Sequence, residues 1–528
     1  MIKRDFLSLQ SRSFDLLVVG GGIYGAWAAY DAALRGLSVA IVEQGDWAGA
    51  TSSASSKLVH GGLRYLETFD FKLVRKALHE RQMLLEAAPH RVWPLRFGVP
   101  VYEDSRIGTM QMWAGLNLYD FFAGNLSHDL SHHHYNSSEF AGRFPFLAAE
   151  HLKSGFTYTD AQTDDARMVL ELVAGAAAGG AACVNYCRLE ELILEDGRAC
   201  GARVRGQLAG SSAEIRARQI VNATGRWAAT AGEGREWCRL SKGVHLVMVG
   251  PAPESALLLT AKSDGRVFFI IPWYGVTLLG TTDTDYSGDP EQVQVEPGEI
   301  EYLLAEANHY LKTAWTEKDV IGGFAGLRVM KRSHDSSPSA VSRDWEMKTS
   351  ADGVHYSIGG KLTSAREDAA HIVDAVCAQL NVGTPCLTWG KRFPWAPEAG
   401  YAAWLDAALR RATELGIDPE SAKWLVRRHG KRAGEILCNV ENNRSLAERI
   451  IPTLPFIQAD LIFCARNEMV VHLSDLLRRR LPLLILARVD EGLLQRIAAM
   501  VAPLLGWNEA EVKEEVCSCL AQVQEKNL

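Results

Sequence analysis

Paired cysteines and long apolar runs are scarce in this 528-residue sequence. The ten cysteines include no CxxC pair, and only Cys517 and Cys519 stand close together. This usage is typical of a reducing compartment and does not indicate a disulfide framework. No run of 18 apolar residues occurs, so no membrane-spanning helix is predicted. The residues before Asp15 lack a clean apolar segment, so we expect a folded first strand and no signal peptide.

The sequence also lacks a strong charge of either sign. Its net charge of −7 gives no general basic field, so nucleic acid is not an expected partner. Three adjacent histidines, residues 132–134, cannot easily converge on one ion, and no suitably spaced Cys or carboxylate supports them. We therefore predict no metal site.

A glycine-rich turn between two apolar runs is the first positive signal. Residues 15–20 and 38–43 are predicted to be buried parallel strands, with a helix over 21–36 between them. The turn carries the GxGxxG pattern of a dinucleotide site, and an acidic residue ends the second strand, where it can accept both ribose hydroxyls. These residues are Gly20, Gly22, Gly25 and Glu43.

A second apolar strand favours FAD over NAD. Residues 216–225 form an apolar run that closes on Ala223, Thr224 and Gly225. This arrangement resembles the second nucleotide-contact strand of the large FAD-binding oxidoreductase class. Because no other complete GxGxxG occurs, a separate NAD site is not predicted.

A serine-rich loop that ends in a glycine pair follows the second strand. In that oxidoreductase class this segment crosses the flavin, so we expect the glycines to let the backbone lie near the pyrophosphate and ring, and the serines to donate hydrogen bonds. Lys57, Arg64 and Tyr65 are expected to face the anionic region or the substrate. The predicted cofactor-binding residues of the loop are Thr51, Ser52, Ser53, Ser56, Lys57, His60, Gly61 and Gly62, with Ser55 as a further donor.

The fold class predicted from these patterns is α/β, with three units. A Rossmann-like FAD-binding domain with a doubly wound parallel sheet takes residues 12–90, 160–240 and 346–382. A mostly antiparallel substrate-binding or cap domain takes 91–159 and 241–345, although 91–159 has an irregular pattern. Residues 395–528 are predicted to form a separate C-terminal α-helical domain.

Several long motifs together resemble the FAD-dependent, quinone-linked sn-glycerol-3-phosphate dehydrogenase family. They are GGGIYGAWAAYDAALRGLSV, ATSSASSKLVHGGLRYLE, YTDAQTDDARMVL, NATGRW, IIPWYGVTLLGTTDTDY, GLRV with SPSAVSRD, and GGKLTS. The resemblance covers about residues 15–380 and is looser in the helical C-terminal part. It implies oxidation of sn-glycerol 3-phosphate to dihydroxyacetone phosphate, with electrons passed from FAD to ubiquinone.

The resemblance also implies site residues. It places Arg64, Tyr65, Arg328 and Lys361 near the substrate, His245 in the catalytic pocket and Thr281 by the flavin edge, and it brings Gly360, Lys361, Leu362 and Thr363 to the cofactor. A phosphorylated alcohol is close to a dianion, so its pocket needs cations of this type. His245 is the candidate base for the hydroxyl proton, and Arg328 is the alternative group to orient and stabilise the alkoxide.

Two residues depart from the family pattern. Val329 and Arg226 each stand where the family commonly has proline. They leave open a relative of glycerol 3-phosphate as the substrate.

The cellular partners follow from the resemblance and from one segment. LLRRRLPLLILARV, residues 476–489, either lies on an anionic membrane surface or docks its apolar side on the protein. With quinone as acceptor, we expect a cytoplasmic protein held peripherally at the inner face of the cell membrane, either as a monomer or as a homodimer. Three alternatives remain: an oxidase that uses O₂, an amino-acid oxidase with a different small anionic substrate, and a catalytically inactive flavin-binding scaffold.

Overall fold

The computed structural model describes residues 2–124, 130–230, 233–250, 253–332, 344–398 and 400–524. The strands, in chain order, are β1 Phe14–Val19, β2 Val39–Val42, β3 Leu58–Val59, β4 Val92–Tyr102, β5 His133–Asn136, β6 Leu152–Thr163, β7 Ala182–Val184, β8 Cys187–Glu195, β9 Arg198–Gly206, β10 Ser212–Asn222, β11 Cys238–Met248, β12 Ala256–Thr260, β13 Val267–Trp273, β14 Val276–Gly280, β15 Thr284–Tyr286, β16 Val320–Lys331, β17 Glu346–Thr349 and β18 His355–Ile358. The helices are α1 Ile23–Leu34, α2 Phe71–Ala87, α3 Thr109–Ala123, α4 Ser137–Arg143, α5 Asp165–Ala178, α6 Gly234–Trp237, α7 Pro297–Asn308, α8 Ala365–Leu380, α9 Tyr401–Glu414, α10 Pro419–His429, α11 Ala433–Asn442, α12 Gln458–Asn467, α13 Leu473–Asp475, α14 Leu483–Leu486, α15 Glu491–Leu505 and α16 Glu509–Gln524.

The first sheet is the nucleotide-binding sheet, and it confirms the Rossmann-like prediction. Its order is β17-β18-β10-β1-β2-β7, and β18, β10, β1, β2 and β7 run parallel. The central strands are almost wholly buried because α1, α5 and α8 cover one face of the sheet and the β8–β9 hairpin covers the other, which explains their continuous apolar runs. Helix α1 connects β1 to β2 and packs against α5 and α8. Its small residues allow that close packing.

The second sheet is mostly antiparallel, as its alternating segments predict. Its order is β15-β11-β14-β13-β12-β4-β6-β3, with β16 beside β11 and β5 beside β6. The second sheet also contains β3, Leu58–Val59, and the whole of β6 as far as Thr163. The sequence prediction instead assigns β3 and the end of β6, from residue 160, to the first unit, which is predicted to cover 12–90 and 160–240.

The prediction of an irregular segment over 91–159 is wrong. Strand β4 pairs with β6 along its whole length, and helix α3 follows. The alternation is hidden because both faces of β4 are buried over most of its residues, and because Pro94 and Pro100 interrupt the pattern.

The C-terminal residues are helical, as predicted, but they are not packed as a separate body. Residues of α12, α14, α15 and α16 share one apolar core with β4, β6 and β13 of the second sheet. A smaller core of their own lies between α9, α10, α11 and α12. Contact with the first sheet depends on buried ion pairs: Asp46 accepts from Arg479 and Arg480 at 2.5 Å each, and Glu468 pairs with Arg167 and Arg432.

Residues 476–489 dock their apolar side chains on the rest of the protein, which is the second of the two interpretations. The interpretation of this segment as a membrane-binding surface is wrong. Leu476, Leu477, Leu481 and Leu483 are fully buried, and Arg479 and Arg480 are turned inward to Asp46. No helix in the described ranges combines the length and apolar character needed to cross a bilayer.

Replacing Glu468 by Gln should destabilise the fold, because it leaves the Arg167 and Arg432 charges in the interior without their carboxylate. Loss of one partner of a buried pair costs about 3–5 kcal/mol. Burial alone would raise the pKa of Glu468, but Arg167 and Arg432 outweigh it and hold that pKa well below its usual value. The stabilisation is therefore present above pH ~4.5 and is lost as the pH falls further.

Urea unfolding of the FAD-loaded protein, followed by circular dichroism, measures the change. Glu191→Gln, which breaks an exposed pair with Arg203, is the matched control and should cost no more than about 1 kcal/mol. Equal unfolding midpoints for the two variants at pH 7 would contradict the role given to Glu468.

Candidate functional site

A cavity of about 760 Å³ lies between the two sheets and is lined by both. On the side of the first sheet, the cavity is lined by the turns after β1, β2 and β10. On the side of the second sheet it is lined by side chains of β11, β13 and β16, and the chain after β18 forms the remaining wall. Most of the side chains predicted from the sequence line this one cavity.

The glycine turn leaves the N-terminus of α1 open to a ligand. Gly20 has φ +111°, and a Cβ there would lie 2.5 Å from the Ala223 carbonyl oxygen. Gly22 is the N-cap of α1 and lines the cavity. Gly25 does not line it: a Cβ at Gly25 would lie 1.9 Å from the Gly20 oxygen, so this residue serves helix–strand packing. The positive end of the α1 dipole here suits a diphosphate.

Glu43 is fixed at the end of β2. Its carboxylate accepts from the N–H of Gly21 at 2.6 Å and of Gly45 at 2.9 Å. Burial raises the pKa of Glu43, and these two N–H donors partly offset the effect. The carboxylate keeps further acceptor capacity at the cavity wall, where a ribose would need it.

The serine loop divides into residues that line the cavity and residues that support it. Ser52 accepts from the Ile23 N–H at 2.9 Å, and Thr51 donates to the Leu327 carbonyl at 2.6 Å. Thr51, Ser52, Ser55, Ser56 and His60 line the cavity, but Ser53 does not, since its hydroxyl donates to the Ala50 carbonyl.

The expectation that Lys57 faces an anionic ligand is wrong. Its ammonium group is buried and donates to Asp165 and to the Ser53 carbonyl, at 2.7 Å each. An apolar interior makes such a pairing obligatory for a buried ammonium. Asp165, the first residue of α5, also accepts from the Ser55 hydroxyl and so holds the loop.

The glycine pair also has a different cause from the one expected. A Cβ on Gly61 would lie 2.5 Å from both the Leu78 side chain and the Tyr119 hydroxyl. Gly62 has φ +78° and abuts the Tyr65 ring. Neither glycine lines the cavity, so the pair is required by packing within the protein and not by close approach of a ligand.

Cations gather on the side of the cavity formed by the second sheet and the loop. The Lys361 ammonium lies 3.8 Å from the centre of the Tyr65 ring, and the Arg64 guanidinium lies 5.0 Å from the same ring. Arg328 donates to the Thr281 hydroxyl at 2.9 Å and to Asp283 at 3.2 Å. The four residues predicted to lie near the substrate, Arg64, Tyr65, Arg328 and Lys361, all line the cavity, and so do Thr281 and Asp283.

His245 is buried beside these cations. Its Nε2 is 2.9 Å from the Ser56 hydroxyl, and its ring stacks on Phe324 with centroids 4.9 Å apart. Burial, followed by the charges of Arg328 and Lys57, lowers the pKa of His245 to about 3. The imidazole is therefore uncharged at neutral pH.

The chain after β18 completes the wall. Gly360 has φ +88°, and a Cβ there would lie 1.7 Å from the Tyr24 hydroxyl. Leu362 and Thr363 line the cavity, and the Thr363 hydroxyl accepts from the His60 N–H at 3.1 Å. Helix α8 begins at Ala365, directly after this stretch.

Three lining residues escaped sequence reasoning. Tyr24 occupies the variable part of the GxGxxG turn and donates to Asp368 at 2.8 Å. Arg266 begins a strand that reads as ordinary alternation, and it donates to the Asp283 carbonyl at 2.6 Å. Asp283 accepts from the Ser241 hydroxyl and from Arg328. Of these three residues, Asp283 is the one that the GTTD motif could have indicated.

The two departures from the family pattern both line the cavity. Val329 is adjacent to Arg328 on β16, and Arg226 follows the Ala-Thr-Gly turn after β10. Of the SPSAVSRD motif, only Asp344 falls within the described residues.

One cluster has the composition of a metal site. His429, Cys464 and Glu468 bring three ligand atoms within 4.8 Å of one another. Glu468 is already paired with Arg167 and Arg432, and these fixed positive charges oppose a metal cation. The cluster is a structural ion-pair network.

Comparison with known proteins agrees with this site. The family model described as FAD dependent oxidoreductase matches residues 15–366, and that described as C-terminal domain of alpha-glycerophosphate oxidase matches residues 397–512. A glycerol-3-phosphate dehydrogenase of Synechocystis sp. is 35% identical over 540 residues, with 97% of each chain covered. The aerobic glycerol-3-phosphate dehydrogenase of Bacillus subtilis is 33% identical, covering 90% of this chain and 88% of that one.

A solved structure is similar over almost the whole fold. The glycerol-3-phosphate dehydrogenase from Bacillus halodurans, complexed with FAD, has a TM-score of 0.80 and 29% identity, covering 99% of this chain and 96% of that one. The open α1 N-terminus and the fixed carboxylate of Glu43 fit the diphosphate and ribose of FAD. The chain belongs to the FAD-dependent glycerol-3-phosphate dehydrogenase family, and its cofactor is FAD.

Proposed function

We propose that this protein oxidises sn-glycerol 3-phosphate to dihydroxyacetone phosphate and passes the electrons to a quinone. One observation carries the substrate assignment: Arg64, Arg328 and Lys361 share the cavity wall with an uncharged, buried histidine. The first three suit a phosphate dianion, and the histidine suits a hydroxyl proton. The names of the relatives support the same substrate.

Substrate binding depends on charge. A phosphate monoester carries nearly two negative charges at neutral pH, and guanidinium and ammonium donors give it charge-assisted hydrogen bonds. Arg64 and Lys361 are held side by side through the Tyr65 ring, so their charges are preorganised on one wall. An amino-acid substrate would need a carboxylate clamp of different geometry.

His245 accepts the hydroxyl proton of the substrate. It is uncharged before substrate binds, because burial and the neighbouring Arg328 and Lys57 disfavour the imidazolium. The negative charge of a bound phosphate opposes these cations and raises the basicity of the ring at the moment when a base is needed. FAD, when bound, supplies the hydride acceptor.

Arg328 orients the oxygen that loses this proton. Asp283 and Thr281 fix its guanidinium, so its N–H groups are preorganised and need little rearrangement during reaction. Partial neutralisation by Asp283 also limits the electrostatic cost of placing this cation beside the buried His245.

The electron acceptor is proposed to be a quinone at the membrane, and one surface supports membrane contact. Exposed apolar side chains lie just before α2 and along α3: Phe69 is 76% exposed, Met110 84%, Trp113 53% and Phe121 77%. Ring contacts connect Phe69, Phe71, Phe122 and Phe121 in series. The exposed Lys72, Arg75 and His79 border this aromatic surface on α2.

Anionic lipid is the occupant that fits the aromatic surface. Monomeric proteins rarely expose so many large apolar side chains together, and apolar residues bordered by cations are typical of interfacial membrane binding. The absence of disulfides among the described cysteines agrees with the inner, reducing side of the cell membrane. A soluble oxidase using O₂ remains the second candidate, because the C-terminal family model carries an oxidase description.

Replacing Lys361 by Ala should raise KM for glycerol 3-phosphate about tenfold to 100-fold, the loss expected for one charge-assisted contact. FAD should remain bound, since the nucleotide cradle is untouched. Turnover is measured with a soluble quinone under anaerobic conditions, and hydrogen peroxide release is measured in air. The exposed Lys391→Ala is the control and should leave KM unchanged.

Loss of FAD together with activity in Lys361→Ala would contradict its placement at the substrate. Peroxide release that matches turnover, with no quinone reduction, would favour the oxidase.

The double variant Trp113→Ser, Phe121→Ser should bind vesicles of anionic lipid at least tenfold more weakly, because each large side chain contributes about 1.5–3 kcal/mol when buried in the lipid. Co-sedimentation with phosphatidylglycerol vesicles measures the binding. The control removes two other exposed apolar side chains, Leu194→Ser with Leu208→Ser. Equal loss in both double variants would contradict a specific role of the aromatic surface.

A further inference from the structure

Arg226 and Arg478 are two largely buried arginines that lack a counter-ion within the described residues. Neither guanidinium makes a hydrogen bond or ion pair there, and the Arg226 Nε is fully enclosed without a partner. Their neighbours differ: Arg479 pairs with Asp46 and Asp475, and Arg480 pairs with Asp46.

Arg226 lines the cavity near the nucleotide cradle. It follows the Ala223-Thr224-Gly225 turn, whose Ala223 carbonyl packs directly against Gly20. Its guanidinium lies 4.4 Å from the centre of the Trp227 ring, which holds the side chain in place. Glu43, Asp289 and Glu291 favour its charge only at longer range, and burial prevails and lowers its pKa.

Arg478 comes from the C-terminal helical region and stands near Arg226. Burial, then Arg479, then Arg226 lower the pKa of Arg478 to about 10. The effect of Arg226 on Arg478 places the two guanidinium groups within electrostatic reach of each other. The region therefore holds two positive charges that no described residue neutralises by direct contact.

Burying a charge without a counter-ion costs free energy, so two adjacent arginines of this kind indicate an anionic ligand. The ligand must be reached from the cavity, lie near the α1 N-terminus and carry about two negative charges. The diphosphate of FAD meets all three requirements. An arginine offers it planar, bidentate hydrogen bonding that the proline common at position 226 in the family does not.

We propose that Arg226 binds the diphosphate of FAD directly and that Arg478 reinforces it electrostatically from behind. The C-terminal helical region then contributes to cofactor retention as well as to the fold. Arg226 thus belongs to the nucleotide site, and its departure from the family pattern does not signal a different substrate.

The test compares Arg226→Gln, Arg478→Gln and Arg226→Lys with the exposed Arg205→Gln as control. The dissociation constant of FAD is measured by flavin fluorescence, and thermal unfolding is measured with and without FAD. We expect FAD to bind about tenfold to 100-fold more weakly in Arg226→Gln, less weakly in Arg478→Gln, and with partial recovery in Arg226→Lys.

A second readout separates a ligand-binding arginine from a structural one. Without FAD, Arg226→Gln should unfold at the same temperature as the parent protein or higher, because an uncompensated charge has been removed. Unfolding at a lower temperature both with and without FAD, or an unchanged FAD affinity with a raised KM for glycerol 3-phosphate, would overturn the proposal.

Discussion

Buried charge at the contact between the nucleotide-binding sheet and the C-terminal helices is the constraint on which the rest depends. Asp46, just after β2, forms ion pairs with two arginines of the C-terminal region, and Glu468 of that region forms an ion pair with Arg167 of α5. Each carboxylate is wholly buried, so neither side of the contact is stable without the other. Because Asp46 and Arg479 also line the cavity, the same ion pairs position its wall.

The cavity itself is organised by an imbalance of charge. Three cations, Arg64, Arg328 and Lys361, line the wall that we propose binds a substrate dianion, while Asp283 restrains Arg328. Burial, together with the charges of Arg328 and Lys57, keeps His245 uncharged at neutral pH without a carboxylate partner. In the proposed mechanism, Arg328 therefore both orients the substrate oxygen and influences the protonation state of the base.

Sequence reasoning succeeded where a residue type has one physical use. Gly20 and Gly22 in their turn, and Glu43 at the end of a strand, could be located from spacing alone, and so could the parallel sheet. It failed where the partner is distant in sequence. Lys57 looks like a ligand for an anion until Asp165, 108 residues away, is seen to neutralise it. The arginines of residues 478–480 look like a membrane-binding group in the sequence, yet two of them are buried in ion pairs with Asp46.

Whether the cavity oxidises glycerol 3-phosphate is tested most directly by an anaerobic titration of the FAD-loaded protein with that substrate. The account predicts that the visible absorption of oxidised flavin disappears and returns when a quinone is added. A flavin that stays oxidised with glycerol 3-phosphate, yet is reduced by dithionite in the same sample, would contradict the substrate assignment while leaving the fold and the cofactor intact.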